Sequence, residues 1–260
     1  MRIARFAGDD DPRFGVIGDD NGVPTIAVLN GDPLYAGLNL SGQKIPLADV
    51  RLLAPVIPRS KVVCVGKNYA KHAAEMGGEV PEEPLIFLKP NTSVIGPGEP
   101  IFYPEQSENV HFEGELAVVI GRICRDVSAE DAAKVIFGYT VANDVTARDL
   151  QAKDGQWARA KGFDTFCPLG PWIETDFDPA DVRVTTELGG ELKQDGRTSD
   201  MVFTVPDVIA YVSSFMTLLP GDVILTGTPE GVGPMQVGDT VSVTVDGIGT
   251  LTNQVVSRND

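Results

Sequence analysis

Three cysteines in 260 residues, Cys64, Cys124 and Cys167, are odd in number and form no CxxC pair. They read as small buried apolar residues and reduced thiols, as expected for a cytoplasmic protein. Basic residues are scarce: 21 Lys and Arg stand against 37 Asp and Glu, a formal net charge of −16. Nucleic acid and anionic membrane, which need a basic footprint, are therefore not expected partners. No run of 18 apolar residues is present, so nothing is expected to span a membrane. Met1–Phe6 lacks an apolar h-region, so no signal peptide is expected. Histidine is the scarcest chemical resource, with two residues, His72 and His111. Each has acidic neighbours at spacings that proton transfer could use. An anionic substrate would need a locally positive site inside this acidic chain, and a bound cation with a few Lys or Arg could provide it.

Twenty-eight glycines and 19 prolines imply many turns and favour strands over long helices. Asn21-Gly22 between Arg13–Gly18 and Val23–Leu29 predicts a hairpin with a type I′ turn. The proline-spaced 54–58 segment predicts a boundary between a small N-terminal β domain (1–57) and a larger β-rich catalytic domain (58–260). Short buried strands are expected at Val62–Val65, Leu85–Leu88, Glu113–Gly121 and Tyr139–Ala142. One helix is expected from an N-cap at Ser128 to a stop at Gly138, and a second from Pro206 to before Pro220-Gly221. Alternation at Val241, Val243 and Val245 with a turn at Asp246-Gly247 predicts a closing hairpin.

Glu113 and Glu115 would point to one face of a strand, ahead of an apolar run. Two carboxylates entering a core repel by roughly 4 kcal/mol at 4 Å with an effective dielectric near 20. Protonation, a basic partner or a hard divalent cation must offset that, unless both lie on a solvated edge. If a helical turn follows Asn143, then Asp144, Arg148 and Gln151 share a face. Asp144 could then add a third oxygen, with Arg148 and Gln151 facing a ligand. His72 and Glu75 would meet across one turn, the acid orienting the imidazole as a base. The acidic, aperiodic 76–84 segment resembles a lid. Lys161 alone is uninformative. The glycine-rich turn Leu225–Gly233, containing Gly227 and Thr228, could hold a carboxylate on its backbone N–H groups. It lacks the ending of a P-loop.

Six motifs follow one another in order: GxNYxxHxxE (66–75), FxKPxxSxxG (87–96), HxExEL (111–116), NDxTxRDxQ (143–151), KxxDxFxPxGP (161–171) and TGTPxGVG (226–233). Together they resemble the fumarylacetoacetate hydrolase family. The resemblance implies a mainly β chain with α+β elements, a mixed β-sandwich roll, and a homodimer. It implies Mg²⁺ or Mn²⁺ held by Glu113, Glu115 and Asp144, with His72 assisted by Glu75 as general base. It further implies Lys161 and Gln151 at the developing oxyanion, and Arg148 with the Thr228 and Gly227 turn binding a small anionic 2-oxo acid. Members that cleave fumarylacetoacetate use a further metal-binding aspartate before the histidine, but residues 60–71 contain no acid. The chain is therefore similar to a smaller branch of acylpyruvate hydrolases, oxaloacetate decarboxylases and 2-hydroxyhepta-2,4-diene-1,7-dioate isomerases. C–C hydrolysis of an acylpyruvate-type substrate through a metal-bound enolate is the first expectation, and isomerisation or decarboxylation the alternative. A non-catalytic binding protein on the same fold is the distant one, against which the complete set of base, metal and oxyanion residues argues.

Overall fold

The computed structural model describes residues 1–8 and 11–258. Four antiparallel strands come first: β1 (Arg2–Phe6), β2 (Arg13–Asp20), β3 (Val23–Leu29) and β4 (Leu40–Pro46). Asn21 and Gly22 join β2 to β3 with φ of 55° and 86°, the left-handed pair that a type I′ turn requires. Next come β5 (Val62–Gly66), α1 (Ala70–Glu75), β6 (Leu85–Lys89), β7 (Gly114–Ile120), β8 (Ile136–Asn143), α2 (Arg148–Asp154), α3 (Ala158–Lys161) and β9 (Cys167–Glu174). The chain ends with β10 (Arg183–Leu188), β11 (Glu191–Arg197), α4 (Val205–Phe215), β12 (Val223–Leu225), β13 (Thr240–Val245) and β14 (Gly249–Ser257).

The main sheet runs β4-β3-β2-β1-β9-β8-β7-β12-β5-β6. Pairing of Ile3 with Ile173 joins β1 to β9, so the N-terminal strands continue this sheet. The 54–58 segment buries Ala54 and Val56 in the same core. A second sheet, β11-β10-β13-β14 with Ile101–Tyr103 at its edge, packs against one face.

Strand β7 explains why the motif that opens it continues as an unbroken apolar run. Leu116, Val118 and Ile120 enter a core shared with Val184, Val243 and Val245 of the second sheet and Val208, Ile209 and Val212 of α4. Ala117 and Val119 enter the opposite core with Val62, Cys64, Val223 and Leu225. A strand buried on both faces has no polar alternation to display. Helix α4 follows its sequence signals: Thr204 and Asp207 form a capping box, and its apolar stripe is buried. All three cysteines are buried and unpaired. No helix among the described residues is long and apolar enough to cross a membrane.

The helix expected from Ser128 to Gly138 is not formed. A short 3-10 turn spans Ala129–Lys134 with no side-chain cap bond, and β8 then begins at Ile136. Pairing with β7 and β9 overrides the local capping signal. Gly138 lies inside β8, where a Cβ would come within 2.6 Å of the Glu174 carbonyl oxygen. Its role is close strand approach rather than helix termination.

Register places the site. Gly114 at the start of β7 lies opposite Asn143 at the end of β8. Strand β12 runs antiparallel to β7 and parallel to β5. The start of β7 and the ends of β5, β8 and β12 therefore gather at one sheet edge.

Candidate active site

That edge opens into a cavity of about 180 Å³. Its walls include His72, Glu113, Glu115, Asp144, Arg148, Gln151, Lys161 and Thr228, eight of the ten residues singled out from the sequence. Glu75 and Gly227 stand one layer behind, bonded to His72 and Glu115 respectively.

The acidic cluster is built by backbone geometry. Glu113 N–H donates to the Asn143 side-chain oxygen at 2.9 Å, and Asp144 N–H donates to the Glu113 carbonyl at 2.8 Å. Gly114 lies between the two glutamates because a Cβ there would meet the Thr186 hydroxyl at 2.1 Å. One oxygen from each of Glu113, Glu115 and Asp144 lies within 4.8 Å of the others, and all three residues are buried. Three cations face them, Lys161 and Lys89 buried and Arg148 partly buried. Lys161 Nζ donates to Glu113 at 2.8 Å and to Asp144 at 2.6 Å. Arg148 Nη2 pairs with the other Glu113 oxygen, and Lys89 Nζ with the other Asp144 oxygen.

These contacts divide the carboxylates electrostatically. Burial would raise the Glu113 carboxyl, but Lys161, Arg148 and His72 overcome it and hold the group well below the usual range. Among the described residues, Glu115 has no side-chain cation bonded to it. Burial, and then the charges of Asp144 and Glu113, push it well above the usual range. Lys161 is raised: burial works against its charge, but Asp144 and Glu113 outweigh that.

The imidazole meets its expected partner. His72 Nδ1 lies 3.3 Å from Glu75 Oε2 within α1. With Nδ1 donating, Nε2 is left as the basic nitrogen. Glu75 is fixed in turn by the Gly231 N–H at 3.1 Å. The glycine-rich turn does hold carboxylates on its backbone, but they are the protein's own: Gly231 serves Glu75, and Gly227 N–H donates to Glu115 at 2.7 Å. Gly227 reaches this geometry at φ 98°, with its Cα side against Asn68. The Thr228 hydroxyl is likewise engaged, donating to Gly114 O and accepting from Gln194.

Asp144, Arg148 and Gln151 converge, but not along one helix face. Helix α2 begins at Arg148, after the short strand Thr146–Ala147, and Asp144 sits on the turn before it. Within α2, Arg148 Nη1 donates to Gln151 Oε1 at 2.8 Å. His111 does not reach the cavity. It lies on the strand Val110–Phe112 with Nε2 2.9 Å from Asn109 Oδ1. Burial and then the Arg148 charge push it down to about 4.

Residues 61–256 match the family described as fumarylacetoacetate (FAA) hydrolase C-terminal, and residues 1–55 match that described as Rv2993c-like, N-terminal. The chain belongs to the fumarylacetoacetate hydrolase family. It is 56% identical to the solved structure of 5-carboxymethyl-2-hydroxymuconate delta-isomerase from Mycobacterium smegmatis, covering 99% of this chain and 100% of that one, with a TM-score of 0.92. It is 45% identical over 224 residues to human mitochondrial oxaloacetate tautomerase FAHD2A, covering 82% of this chain and 71% of the relative. Maleylpyruvate hydrolase from Sphingobium sp. SYK-6, solved with manganese(II) and pyruvate, is 36% identical, with 99% of both chains covered and a TM-score of 0.81. The chain is accordingly an enzyme of this family with the family's mainly β fold.

Enzymes of this family use divalent metals, and the donor set fits one. Three clustered carboxylates are hard oxygen ligands of the kind Mg²⁺ and Mn²⁺ take. Glu115, short of positive charge where it stands, is the member a cation would most relieve.

Sequence reasoning missed Lys89, which is 1% exposed and also donates to Val145 O at 3.0 Å. Its place at the end of β6 looked like a strand stop, although it falls inside the FxKP motif. It missed the apolar wall, where Phe87 meets Trp157 edge-on at 5.2 Å and Lys161 Nζ lies 4.9 Å from the Phe87 ring. It also missed Gln194, whose amide bonds Gly114, Thr228 and Pro229 at once. No local signal marks that residue.

Proposed function

We propose that the chain catalyses proton transfer at the carbon beside the keto group of a small anionic 2-oxo acid, a keto–enol tautomerisation or double-bond isomerisation, with Mg²⁺ or Mn²⁺ bound at Glu113, Glu115 and Asp144. The observation that carries it is the Glu75-oriented His72 imidazole opening on the same small cavity as the three carboxylates and Lys161. Bound there, the cation would supply Lewis-acid stabilisation of negative charge on the keto oxygen. His72 Nε2 takes the carbon-bound proton, Glu75 stabilises the resulting imidazolium, and the imidazolium then delivers that proton to the enolate oxygen or to the far carbon. Lys161, kept protonated by Glu113 and Asp144, adds positive charge beside the developing oxyanion. Arg148 braces Glu113 and Gln151, Gln151 orients the substrate through its amide N–H, and Phe87 and Trp157 exclude water from one wall. This chemistry needs no attacking water, and the relatives named for it, at 56% and 45% identity, support it.

Sequence motifs alone placed C–C hydrolysis first, and it stands as the second reading. The maleylpyruvate hydrolase that aligns along 99% of both chains favours it. There, His72 would take its proton from water instead of carbon. Purified protein, metal-loaded or chelated, should be assayed for oxaloacetate tautomerisation and for acylpyruvate cleavage. Fast, chelator-sensitive tautomerisation with slow cleavage is expected. Cleavage outrunning proton transfer would make hydrolysis the function, and inactivity towards every 2-oxo acid would refute both.

A further inference from the structure

Lys67 lies between β5 and α1 and lines the cavity beside Gly66 and Met76. Its φ is 56°, a left-handed conformation that the Cβ of a non-glycine residue disfavours. Strain of this kind persists where the surroundings hold it, and it points to function. The ammonium is unassigned. Among the described residues, the cavity's other cations are all engaged: Lys161 by Glu113 and Asp144, and Arg148 by Glu113 and Gln151. Lys89, behind the wall, is held by Asp144. Lys67 makes no ion pair or side-chain hydrogen bond there, in a chain with a net charge of −16. The loop after α1 passes directly over it. A Cβ at Gly78 would stand 2.6 Å from Lys67 Nζ, so the ammonium lies against this loop.

We propose that Lys67 is a specificity-determining residue that binds the second carboxylate of a 2-oxo dicarboxylate whose keto-acid end lies at the acidic cluster. The inference rests on the function proposed above. The cations at the cavity floor already balance the protein's own carboxylates, so a distal substrate carboxylate has Lys67 as the available partner on the wall. A charge-assisted contact there favours dicarboxylates over monocarboxylates by about tenfold or more.

The test is calorimetric titration of the Mn²⁺-loaded full chain with oxaloacetate, 2-oxoglutarate and 2-oxoadipate, against 2-oxobutyrate. Oxalate, a chelator with no distal carboxylate, reports the cluster alone. The parent should bind at least one dicarboxylate about tenfold or more tighter than 2-oxobutyrate. Lys67→Met should abolish that preference, Lys67→Arg should keep it, and all should bind oxalate equally. Lys67→Gly should lose the preference yet melt at a higher temperature, because glycine relieves the left-handed strain. Normal oxalate binding with no dicarboxylate preference, or with a preference that survives Lys67→Met, overturns the inference and leaves the proposed function standing. Failure of the parent to bind oxalate overturns the cluster reading and the inference with it. A Lys67→Gly protein that melts earlier and loses oxalate affinity marks Lys67 as structural, which also overturns it.

Discussion

At the scale of single residues, Glu115 and His72 have separable tasks. Glu115 is buried between two other carboxylates and, among the described residues, only the Gly227 N–H is bonded to it. Glu115→Gln removes a charge that metal binding needs and that the metal-free fold does not. The variant should bind Mn²⁺ at least about tenfold more weakly in calorimetry, while its metal-free melting temperature stays at or above the parent's. A metal-free variant that melts well below the parent would mean that the carboxylate is structural. Among the described residues, His72 hydrogen-bonds Glu75 and not the candidate ligands. His72→Ala should lower kcat by about 10²–10⁴-fold and leave metal affinity unchanged. Both residues stood out in the sequence because their spacing has meaning inside one strand or one helical turn. Lys89 did not, because its task depends on Asp144, 55 residues away.

At the scale of elements, the sheet edge orders α2 through its first turn. Asp149 accepts from the Ser107 hydroxyl at 2.6 Å and from Glu108 N–H at 3.1 Å, tying α2 to the loop before the strand Val110–Phe112. Burial would raise this carboxyl, but those bonds, with the Leu150 N–H, lower it below the usual carboxylate range. A lowered folded-state value means that the contribution to stability is present above the ordinary carboxylate range and disappears as the pH falls through the lowered value. Asp149→Asn should therefore destabilise by about 1–2 kcal/mol at neutral pH, and the gap should close in acid. Urea denaturation of both proteins across that range checks it. The 76–84 segment, expected to be a lid, follows α1 directly and brings Met76 to the cavity and Gly78 to Lys67. Its amides should gain hydrogen-exchange protection when oxalate and Mn²⁺ bind, and unchanged exchange would remove the lid from the mechanism. Elements defined by local chemistry were legible: the Asn21-Gly22 hairpin, the helix start at Pro206 and the Val241–Val245 alternation. The Ser128 helix was misread because β8 gains more from pairing on both sides than a six-residue segment gains from a cap.

At the scale of the molecule, the acidic site is the part of the fold that a cation should stabilise. Saturating Mn²⁺ should raise the melting temperature, by an amount equivalent to about 2.7 kcal/mol at a hundredfold excess over Kd. Glu115→Gln should lose most of that gain, and no shift in the parent would argue against a resident metal. The sequence by itself determined the residue types of the site, the carboxylates two residues apart, the imidazole–carboxylate turn and the family, because these rest on spacings of two to four residues or on motif order; Glu113 itself precedes β7 rather than lying on it. Only the tertiary structure decided which cations balance the carboxylates. It alone showed that Gly227 and Gly231 of the glycine-rich turn bond Glu115 and Glu75, and that Lys67 is left unpaired among the described residues. Those outcomes depend on which strand ends meet at one sheet edge, and that is set by packing between residues 17 to 156 positions apart.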